Sequence, residues 1–239
     1  AVNRLSTCRF RYLLAIEVEA HKRLGMALDR RQMLQLGTLI VGGWAVSSVL
    51  KRTAPIGRDV ANPEALAAIF DDRGSPANGP PTASLRFAAF TDYRCPACRL
   101  AFPAMEEAIL IDGDVRVIYK DWPIFGPPSE RAAQVALASA EQGVYPAVHK
   151  QLMIDSRIIS DGVLQDIVEK AGGDWKRVSA YLISHEQQVM AQLRTNGEQA
   201  LALGLAGTPG YVAGSVLVAG AIDKADFLRL FAHAREKRK

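Results

Sequence analysis

Two cysteines separated by two residues stand where an apolar run meets a helical pattern. They are Cys95 and Cys98 in the stretch FTDYRCPACRLAF, residues 90–102. The apolar segment 85–91 is typical of a buried strand, and apolar residues after the second cysteine recur at helical spacing. A close cysteine pair at such a junction can bind a metal, form a local structural disulfide or carry out redox chemistry. The rest of the sequence must discriminate among these three functions.

The order of the predicted elements indicates a small α/β domain that is interrupted by helices. The strand at 85–91, the helix after it and an alternating strand at 115–120 form a βαβ unit. Residues 129–203 carry almost only helical patterns, and a β-hairpin at 211–220 and a helix at 225–237 follow. We expect the strands on the two sides of the helical insert to join in one sheet. The predicted fold class is therefore α/β with an inserted all-helical subdomain.

The same patterns divide the chain into five consecutive segments. In the fourth segment, Ser129 is predicted to be the N-cap of the first helix and Gly143 its stop signal. The segments are a leader at 1–52, a lead-in helix and linker at 53–83, the first part of the α/β domain at 84–128, the helical insert at 129–203 and the second part of the α/β domain at 204–239.

Positive charge is concentrated near the N-terminus of the chain. Residues 1–58 contain ten Lys and Arg against three Asp and Glu, whereas the remaining residues contain 19 against 22. The main body is thus mildly acidic, although the whole chain has a net charge of +4. Nucleic-acid binding usually requires a basic stripe on the folded body. We therefore expect no nucleic-acid partner.

The leader contains an apolar run at 33–50 that follows two arginines at positions 30 and 31. A basic region, an apolar core and small residues at 45–47 predict an export signal with a cleavage site. The paired arginines also resemble a twin-arginine signal. The run could instead remain as an uncleaved membrane anchor or pack as a buried helix. We predict export to the periplasm, with membrane contact only through this segment. Met26 is a natural start for such a signal, so we expect residues 1–25 to lie upstream of the translated chain.

The exported body would contain only two cysteines, because Cys8 precedes the apolar run. A structural zinc site needs four ligands, and one CxxC pair supplies two. The three histidines of the body are far apart in sequence, at positions 149, 185 and 233. A disulfide that closes so short a loop removes little chain entropy and stabilises the fold weakly. The pattern favours redox chemistry, and we predict neither a metal nor a cofactor.

The position of the first cysteine suits a reactive thiol. Cys95 is expected at a helix N-terminus, where unpaired backbone N–H groups and the helix dipole stabilise a thiolate that attacks disulfides. Cys98, one turn further along, would then resolve the mixed disulfide. Pro96 suits the first helical turn, because its missing N–H costs no hydrogen bond there.

Three blocks of the sequence resemble the DsbA-like thioredoxin-fold oxidoreductases. They are FTDYRCPACRLAFPAM, DWPIFGPPSERAAQVALASAEQG and LGLAGTPGYVAGSVLVAGAID, which follow one another within about residues 80–232. The resemblance implies a thioredoxin fold and a periplasmic thiol:disulfide oxidoreductase, with Cys95 as nucleophile and Cys98 as resolving thiol. It also implies that Thr208 and Pro209 form a cis-proline loop that faces the disulfide, which would leave the Thr208 backbone free to pair with an extended substrate segment. The implied partners are reduced or misoxidised substrate proteins and a membrane redox partner that regenerates the cysteine pair.

The residue before the second cysteine departs from the family pattern. Relatives often carry a histidine or an aromatic residue there, whereas this chain has Ala97. A histidine could stabilise the Cys95 thiolate by charge and hydrogen bonding, and alanine cannot. We expect Pro96 and Ala97 to tune the redox properties of the pair. The predicted reduction potential lies between about −120 mV, the value for DsbA, and about −270 mV, the value for thioredoxin.

Other residues near the pair have alternative interpretations. Arg94 and Arg99 flank it and either supply part of the missing positive charge or are solvated surface residues. Lys120 is a candidate buried partner for proton transfer, whereas Asp92 and Tyr93 are interpreted as packing and capping residues. Two other functions stay open. One is a disulfide isomerase or reductase, and the other is a non-enzymatic thioredoxin-fold module that binds metal or acts as a chaperone.

Overall fold

The computed structural model of the chain describes residues 56–237 and four separate helical positions, 35, 39, 42 and 43. Apart from those four positions, the predicted leader and its apolar run at 33–50 lie outside the described residues. Among the helices that are described, none combines the length and the apolar character that a bilayer crossing requires.

Six short strands of the described region form one mixed sheet. In chain order they are β1 (Arg58–Asp59), β2 (Ala77–Asn78), β3 (Leu85–Thr91), β4 (Val115–Asp121), β5 (Gly210–Ala213) and β6 (Val216–Ala219). Their order across the sheet is β1-β6-β5-β3-β4-β2. β3 and β4 are parallel, as a βαβ crossover requires, and the other neighbours are antiparallel. Because β5 pairs with β3, the strands on the two sides of the helical insert do join in one sheet.

Eight α-helices surround this sheet within residues 56–237, and five of them form the insert between β4 and β5. They are α1 (Pro63–Phe70), α2 (Pro96–Asp112), α3 (Pro127–Ser139), α4 (Tyr145–Ile154), α5 (Asp161–Lys170), α6 (Trp175–Ser184), α7 (Glu186–Ala202) and α8 (Lys224–Glu236), with a 3-10 helix at Ala140–Gln142. Gly143 follows the 3-10 helix with a φ of 72°, in the left-handed region, and stops it as predicted. The architecture confirms the predicted α/β class with an inserted helical subdomain.

Alternation of side chains along the central strands fills a hydrophobic core on each face of the sheet. On one face, Phe87 of β3 packs edge-on against Phe227 and Phe231 of α8, with ring centroids 6.2 and 5.2 Å away. On the other face, Phe90 of β3 lies in a core with Phe70 of α1. The first core contains both cysteines and continues into the helical insert. The insert therefore shares its core with the face of the sheet that carries the cysteine pair.

The first helix of the insert starts earlier than predicted. α3 begins at Pro127 and its N-cap is Gly126, while the Ser129 hydroxyl donates to the carboxylate of Asp92. Proline is well suited to the first helical position, because its fixed φ matches the helix and its missing N–H has no partner there. The predicted N-cap role of Ser129 is therefore wrong.

The lead-in segment contains more structure than was predicted. Its helix, α1, agrees with the prediction and is capped by Asn62, whose Oδ1 accepts from the N–H groups of Glu64 and Ala65 at 2.9 and 3.1 Å. β1 and β2, however, pair with β6 and β4 at the two edges of the sheet. Two-residue strands are too short to show an alternating pattern, so sequence reasoning missed them.

A buried ion pair connects the lead-in loop to the sheet and to the helical insert. Lys120 of β4 is fully buried, and its Nζ lies 2.6 Å from Oδ2 of Asp72. The same oxygen accepts from Ser75 at 2.9 Å and from Gln192 of α7 at 2.8 Å. Burial lowers the pKa of Lys120, although Asp72 opposes this effect. Burial alone would raise the pKa of Asp72, but its bonds to Lys120, Gln192 and Ser75 lower it overall.

Candidate active site

The first cysteine caps the helix that follows β3. Cys95 is the N-cap residue of α2, and Pro96 occupies the first helical position. The Sγ atom of Cys95 accepts a hydrogen bond from the backbone N–H of Cys98 at 3.2 Å. The sulfur therefore takes the place of the side-chain oxygen that usually caps a helix, and it meets the positive end of the helix dipole.

The second cysteine is buried like the first. Cys98 lies one turn into α2 and is 1% exposed, against 2% for Cys95. Burial raises the pKa of its thiol, and the hydrogen bond with Cys95 adds to the effect. The structure shows both cysteines as free thiols. One sulfur is thus held by a backbone donor at the helix end, and the other is kept neutral by burial.

A loop before β5 forms the other wall of the site. The peptide bond between Thr208 and Pro209 is cis. The thiol of Cys95 donates to the carbonyl oxygen of Thr208 at 3.4 Å. The carbonyl of Pro209 accepts from the N–H of Gly220 at 2.8 Å, which ties the loop to the end of β6. The fold thus brings Thr208 and Pro209 against the first cysteine.

Asp92 joins the turn before the cysteines to the loop after β4. One of its carboxylate oxygens accepts from the N–H of Arg94 at 2.7 Å and from the hydroxyl of Ser129. The other accepts from the N–H groups of Ile124 and Phe125 at 2.7 and 3.1 Å. These bonds satisfy a buried carboxylate, in agreement with its interpretation as a packing and capping residue. No pattern in the sequence indicates which loop this carboxylate holds.

An exposed apolar surface lies beside the cysteine turn and the loop of Thr208. We call it the rim, and it consists of Ile124 and Phe125, whose side chains are 43% and 44% exposed. The guanidinium of Arg94 donates to the carbonyl of Phe125 at 3.1 Å and so connects the rim to the cysteine turn. A Cβ placed on Gly207 would lie 3.9 Å from Cδ1 of Ile124, which sets the rim beside the loop that carries Thr208.

The two residues between the cysteines carry no polar side chain. Pro96 is exposed, and Ala97 is half-buried against the same core as the cysteines. Neither side chain can donate a hydrogen bond to the sulfur of Cys95, so within the CPAC motif its donors belong to Cys98, whose backbone N–H lies 3.2 Å away.

Lys120 lies on the opposite face of the sheet from the cysteines. It follows Ile118 by two residues in β4, and Ile118 and Phe90 belong to the second core. Cys95 and Cys98 belong to the first core. The ammonium of Lys120 is paired with Asp72, so the hypothesis that it exchanges protons with the cysteine pair is wrong.

The described residues form no evident metal centre. Among them, no group of three or more His, Cys, Asp and Glu side chains is arranged to hold a metal ion. His185 stacks on Tyr181 with ring centroids 4.2 Å apart, and His233 is partly exposed on α8. His149 is buried in the insert.

A buried polar cluster between β4 and α4 was not predicted from the sequence. Nδ1 of His149 lies 2.9 Å from the hydroxyl of Tyr93 and 3.3 Å from that of Tyr145. Tyr145 also donates to Oδ2 of Asp121 at 3.0 Å. Burial lowers the pKa of His149 to about 3. Burial raises the pKa of Asp121 to about 7, although its tyrosine partners act in the opposite direction. The four residues follow no motif, because tertiary packing brings them together.

Replacing Asp121 by asparagine is expected to change how stability depends on pH. In the folded protein the pKa of Asp121 is about 7, whereas an unfolded aspartate has a value of about 3.9. The stabilisation from its protonated form is therefore complete below pH 4 and is lost as the pH rises through 7. Between pH 5 and pH 8 this loss amounts to about 3 kcal/mol.

Asparagine does not ionise, so it does not suffer this loss. The free energy of unfolding of Asp121→Asn, relative to that of the wild type, should therefore rise by about 3 kcal/mol from pH 5 to pH 8. Urea unfolding of both proteins at pH 5 and at pH 8 measures this difference. His149 is present in both proteins, so its own titration cancels to first order. A difference between variant and wild type that is the same at both pH values contradicts the expectation.

Comparison with known proteins identifies one family and several similar structures. The sequence profile of the DSBA-like thioredoxin domain matches residues 87–232. A thioredoxin-like oxidoreductase from Silicibacter pomeroyi DSS-3 is 31% identical with a TM-score of 0.67, and the match covers 74% of this chain and 99% of that one. A periplasmic thioredoxin-like protein from Salmonella enterica serovar Typhimurium is 28% identical with a TM-score of 0.65, and the match covers 74% and 99% of the two chains.

Curated relatives match over part of their length only. The Na(+)/H(+) antiporter NhaA 3 from Salinispora tropica is 28% identical over 186 residues, which cover 72% of this chain and 28% of the antiporter. This chain therefore spans little more than a quarter of the length of the curated relatives that it matches.

Proposed function

The chain belongs to the family of DSBA-like thioredoxin domains, and on that premise we propose that it forms or exchanges disulfide bonds in substrate proteins through Cys95 and Cys98. Its activity is that of a thiol:disulfide oxidoreductase. The observation that carries the proposal is the position of the Cys95 sulfur. It lies between the N–H of Cys98 and the carbonyl of Thr208, at the N-terminal end of a helix.

The proposed reaction begins with the disulfide form of the pair. A substrate thiolate attacks Sγ of Cys95, a mixed disulfide forms, and the bond between Cys95 and Cys98 breaks. Cys98 leaves as a thiolate and takes up a proton, because burial raises its pKa. A second substrate thiolate then attacks the substrate sulfur of the mixed disulfide and releases Cys95 as a thiolate. The substrate dithiol has lost two electrons and two protons, and the cysteine pair has gained the two electrons.

The surface around Cys95 supports binding of an extended substrate segment. The rim residues Ile124 and Phe125 expose apolar surface, and Arg94 connects them to the turn that precedes Cys95. The backbone of Thr208, in the loop beside the rim, lies within hydrogen-bond distance of the Cys95 sulfur. Main-chain pairing gives affinity for any extended segment, and the rim favours apolar neighbours of the substrate cysteine. The proposed partners are therefore reduced or misoxidised proteins that are not fully folded.

We place this activity in the periplasm, where disulfides persist. The predicted signal or anchor at 33–50 supports export, and the similar protein from Salmonella enterica is periplasmic. Each catalytic cycle in the oxidising direction leaves the pair reduced, so a redox partner must reoxidise it. We propose that this partner is a membrane protein.

Equilibration with glutathione tests the proposed function. The pair is expected to behave as a two-electron couple with a potential between about −120 and about −270 mV. Oxidation of a reduced, unfolded protein, reduction of insulin and refolding of scrambled ribonuclease then distinguish an oxidase from a reductase and an isomerase. A protein that retains zinc or copper and exchanges no disulfide would overturn the proposal in favour of a metal-binding module.

Replacing Ala97 by histidine is expected to make the protein more oxidising. A histidine at this position would stabilise the Cys95 thiolate of the reduced form by charge and hydrogen bonding. The equilibrium constant for reduction by glutathione should rise about tenfold, which corresponds to about 30 mV. Ala97→Gln is the matched control, because it adds bulk and a hydrogen-bond donor without charge. The same potential in the wild type and in Ala97→His contradicts the expected role of this position.

A further inference from the structure

Arg99, the residue after the second cysteine, is bound to three backbone carbonyls. Its Nη1 donates to the carbonyl of Tyr93 at 3.2 Å and to that of Leu152 at 2.9 Å, and its Nη2 donates to that of Asp155. Tyr93 belongs to the turn before the first cysteine, whereas Leu152 and Asp155 lie at the C-terminal end of α4. One guanidinium therefore connects the cysteine turn to the helical insert.

The three carbonyls that Arg99 binds suit the planar guanidinium of an arginine, which presents several N–H donors in a fixed arrangement. The last carbonyls of α4 have no donor within the helix, and an arginine satisfies them at the negative end of the helix dipole. The carboxylate of Asp155 pairs with Arg157 at 2.5 Å, whereas Arg99 donates to the backbone carbonyl of Asp155. A lysine would keep the positive charge, but its single ammonium lacks the rigid fork that holds several carbonyls at once.

We propose that Arg99 is a positioning residue for disulfide exchange. It holds the carbonyl of Tyr93 against the insert and so keeps the sulfur of Cys95 hydrogen-bonded to the N–H of Cys98. It acts through the geometry of the turn, and its charge does not by itself stabilise the Cys95 thiolate. This inference rests on the proposed function, because it concerns the sulfur that is proposed to react.

The backbone around Cys95 transmits the effect over a few residues. The N–H of Cys95 donates to the carbonyl of Asp92 at 3.1 Å, and the N–H of Arg99 donates to the carbonyl of Cys95 at 3.1 Å. A displaced Tyr93 carbonyl therefore moves the residue whose sulfur caps α2. The N–H···S bond stabilises a thiolate more than a disulfide, since hydrogen bonds to a charged acceptor are stronger. Loosening the turn should disfavour the reduced form of the pair.

The test compares Arg99→Lys and Arg99→Met with Arg235→Lys and Arg235→Met. Arg235 of α8 binds the carboxylate of Asp112, the last residue of α2, at 2.8 and 2.7 Å. Its loss loosens the same helix at the end remote from the cysteines, so it is a matched control. Two quantities are measured on the folded proteins, the equilibrium constant with glutathione and the rate of alkylation of Cys95 by iodoacetamide at pH 7.

Both Arg99 variants should lower the equilibrium constant for reduction about tenfold, about 30 mV towards more negative potentials. Both should also slow the alkylation of Cys95, whereas the Arg235 variants should match the wild type in both measurements. If Arg99→Met does not fold, the comparison of Arg99→Lys with Arg235→Lys tests the positioning role of Arg99 on its own.

Wild-type values in Arg99→Lys with altered values in Arg99→Met would show that charge is what matters, and they would overturn the inference. Wild-type values in both variants would overturn it as well. A different result would overturn the proposed function, namely that the wild type exchanges no disulfide with glutathione. The alkylation rates still test the positioning of Cys95 in that case, because alkylation needs no redox partner.

Discussion

Replacing Cys95 by serine is expected to abolish disulfide exchange, with a loss in rate of about a thousandfold or more. The thiolate is the nucleophile of this chemistry, and a serine hydroxyl forms no disulfide. The fold should survive, because serine is a good N-cap and its oxygen can accept the N–H of Cys98 that now meets the sulfur. Oxidation of a reduced dithiol peptide by each protein measures the rate, and urea unfolding checks the fold.

Cys98→Ser is the matched control for this experiment, because it separates attack from resolution. It retains the Cys95 thiolate, and here the substrate is an oxidised peptide. The thiolate attacks the peptide disulfide, forms a mixed disulfide and releases the other peptide sulfur as a thiolate. The mixed disulfide should accumulate, since the resolving thiol is missing. Mass spectrometry under non-reducing conditions should find one substrate per Cys98→Ser chain and none on Cys95→Ser. A mixed disulfide on Cys98 in the Cys95→Ser protein would show that the roles of the two cysteines are reversed.

Replacing Asp72 by alanine is expected to lower the free energy of unfolding by about 3 to 5 kcal/mol. The substitution leaves the fully buried ammonium of Lys120 without its carboxylate, and it removes the acceptor of Ser75 and Gln192. Lys120→Met should cost less, because it removes the charge and keeps an unbranched chain of similar length. The double variant Asp72→Ala/Lys120→Met should be more stable than Asp72→Ala alone. Guanidinium unfolding at pH 7 measures all four proteins.

An exposed ion pair provides the control for the buried one. Asp166 pairs with Lys170 at 2.8 Å and with Arg157 at 2.7 Å, and all three side chains are at least 36% exposed. Solvent screens exposed ion pairs, so Asp166→Ala should destabilise the protein much less than Asp72→Ala does. Equal losses in Asp72→Ala and Asp166→Ala would mean that the buried pair contributes no more than a surface contact.

Local patterns in the sequence were sufficient for the elements that carry the cysteines. The strand predicted at 85–91 is β3, and the strand predicted at 115–120 differs from β4 by one residue. The helix of the cysteine pair is α2, which starts at Pro96. Such elements are predictable, because burial of one face imposes a period of 2 or 3.6 on residues that are close in the chain. β1 and β2 have two residues each, and so they carry no such period.

The hydrogen-bond and ion-pair partners of buried polar side chains could not be predicted from the sequence. Ser129 has the residue type of an N-cap, but its hydroxyl binds Asp92, 37 residues away. Lys120 was a candidate for proton transfer, and its partner Asp72 lies 48 residues earlier, on the other face of the sheet from the cysteines. A polar side chain on a buried strand must find a partner, yet the sequence does not say which one.

By itself, the sequence determined that a close cysteine pair stands at a strand-to-helix junction of an α/β domain with a helical insert. These features depend on periodicity and on residues that are neighbours in the chain. The family resemblance implied the loop of Thr208 and Pro209, but only the tertiary structure decided which groups contact the Cys95 sulfur and its turn. The carbonyl of Thr208 comes from 113 residues downstream, and Arg99 reaches carbonyls 53 and 56 residues away. Contacts between such distant segments depend on how the helical insert packs on the sheet, and no local pattern in the sequence encodes that packing.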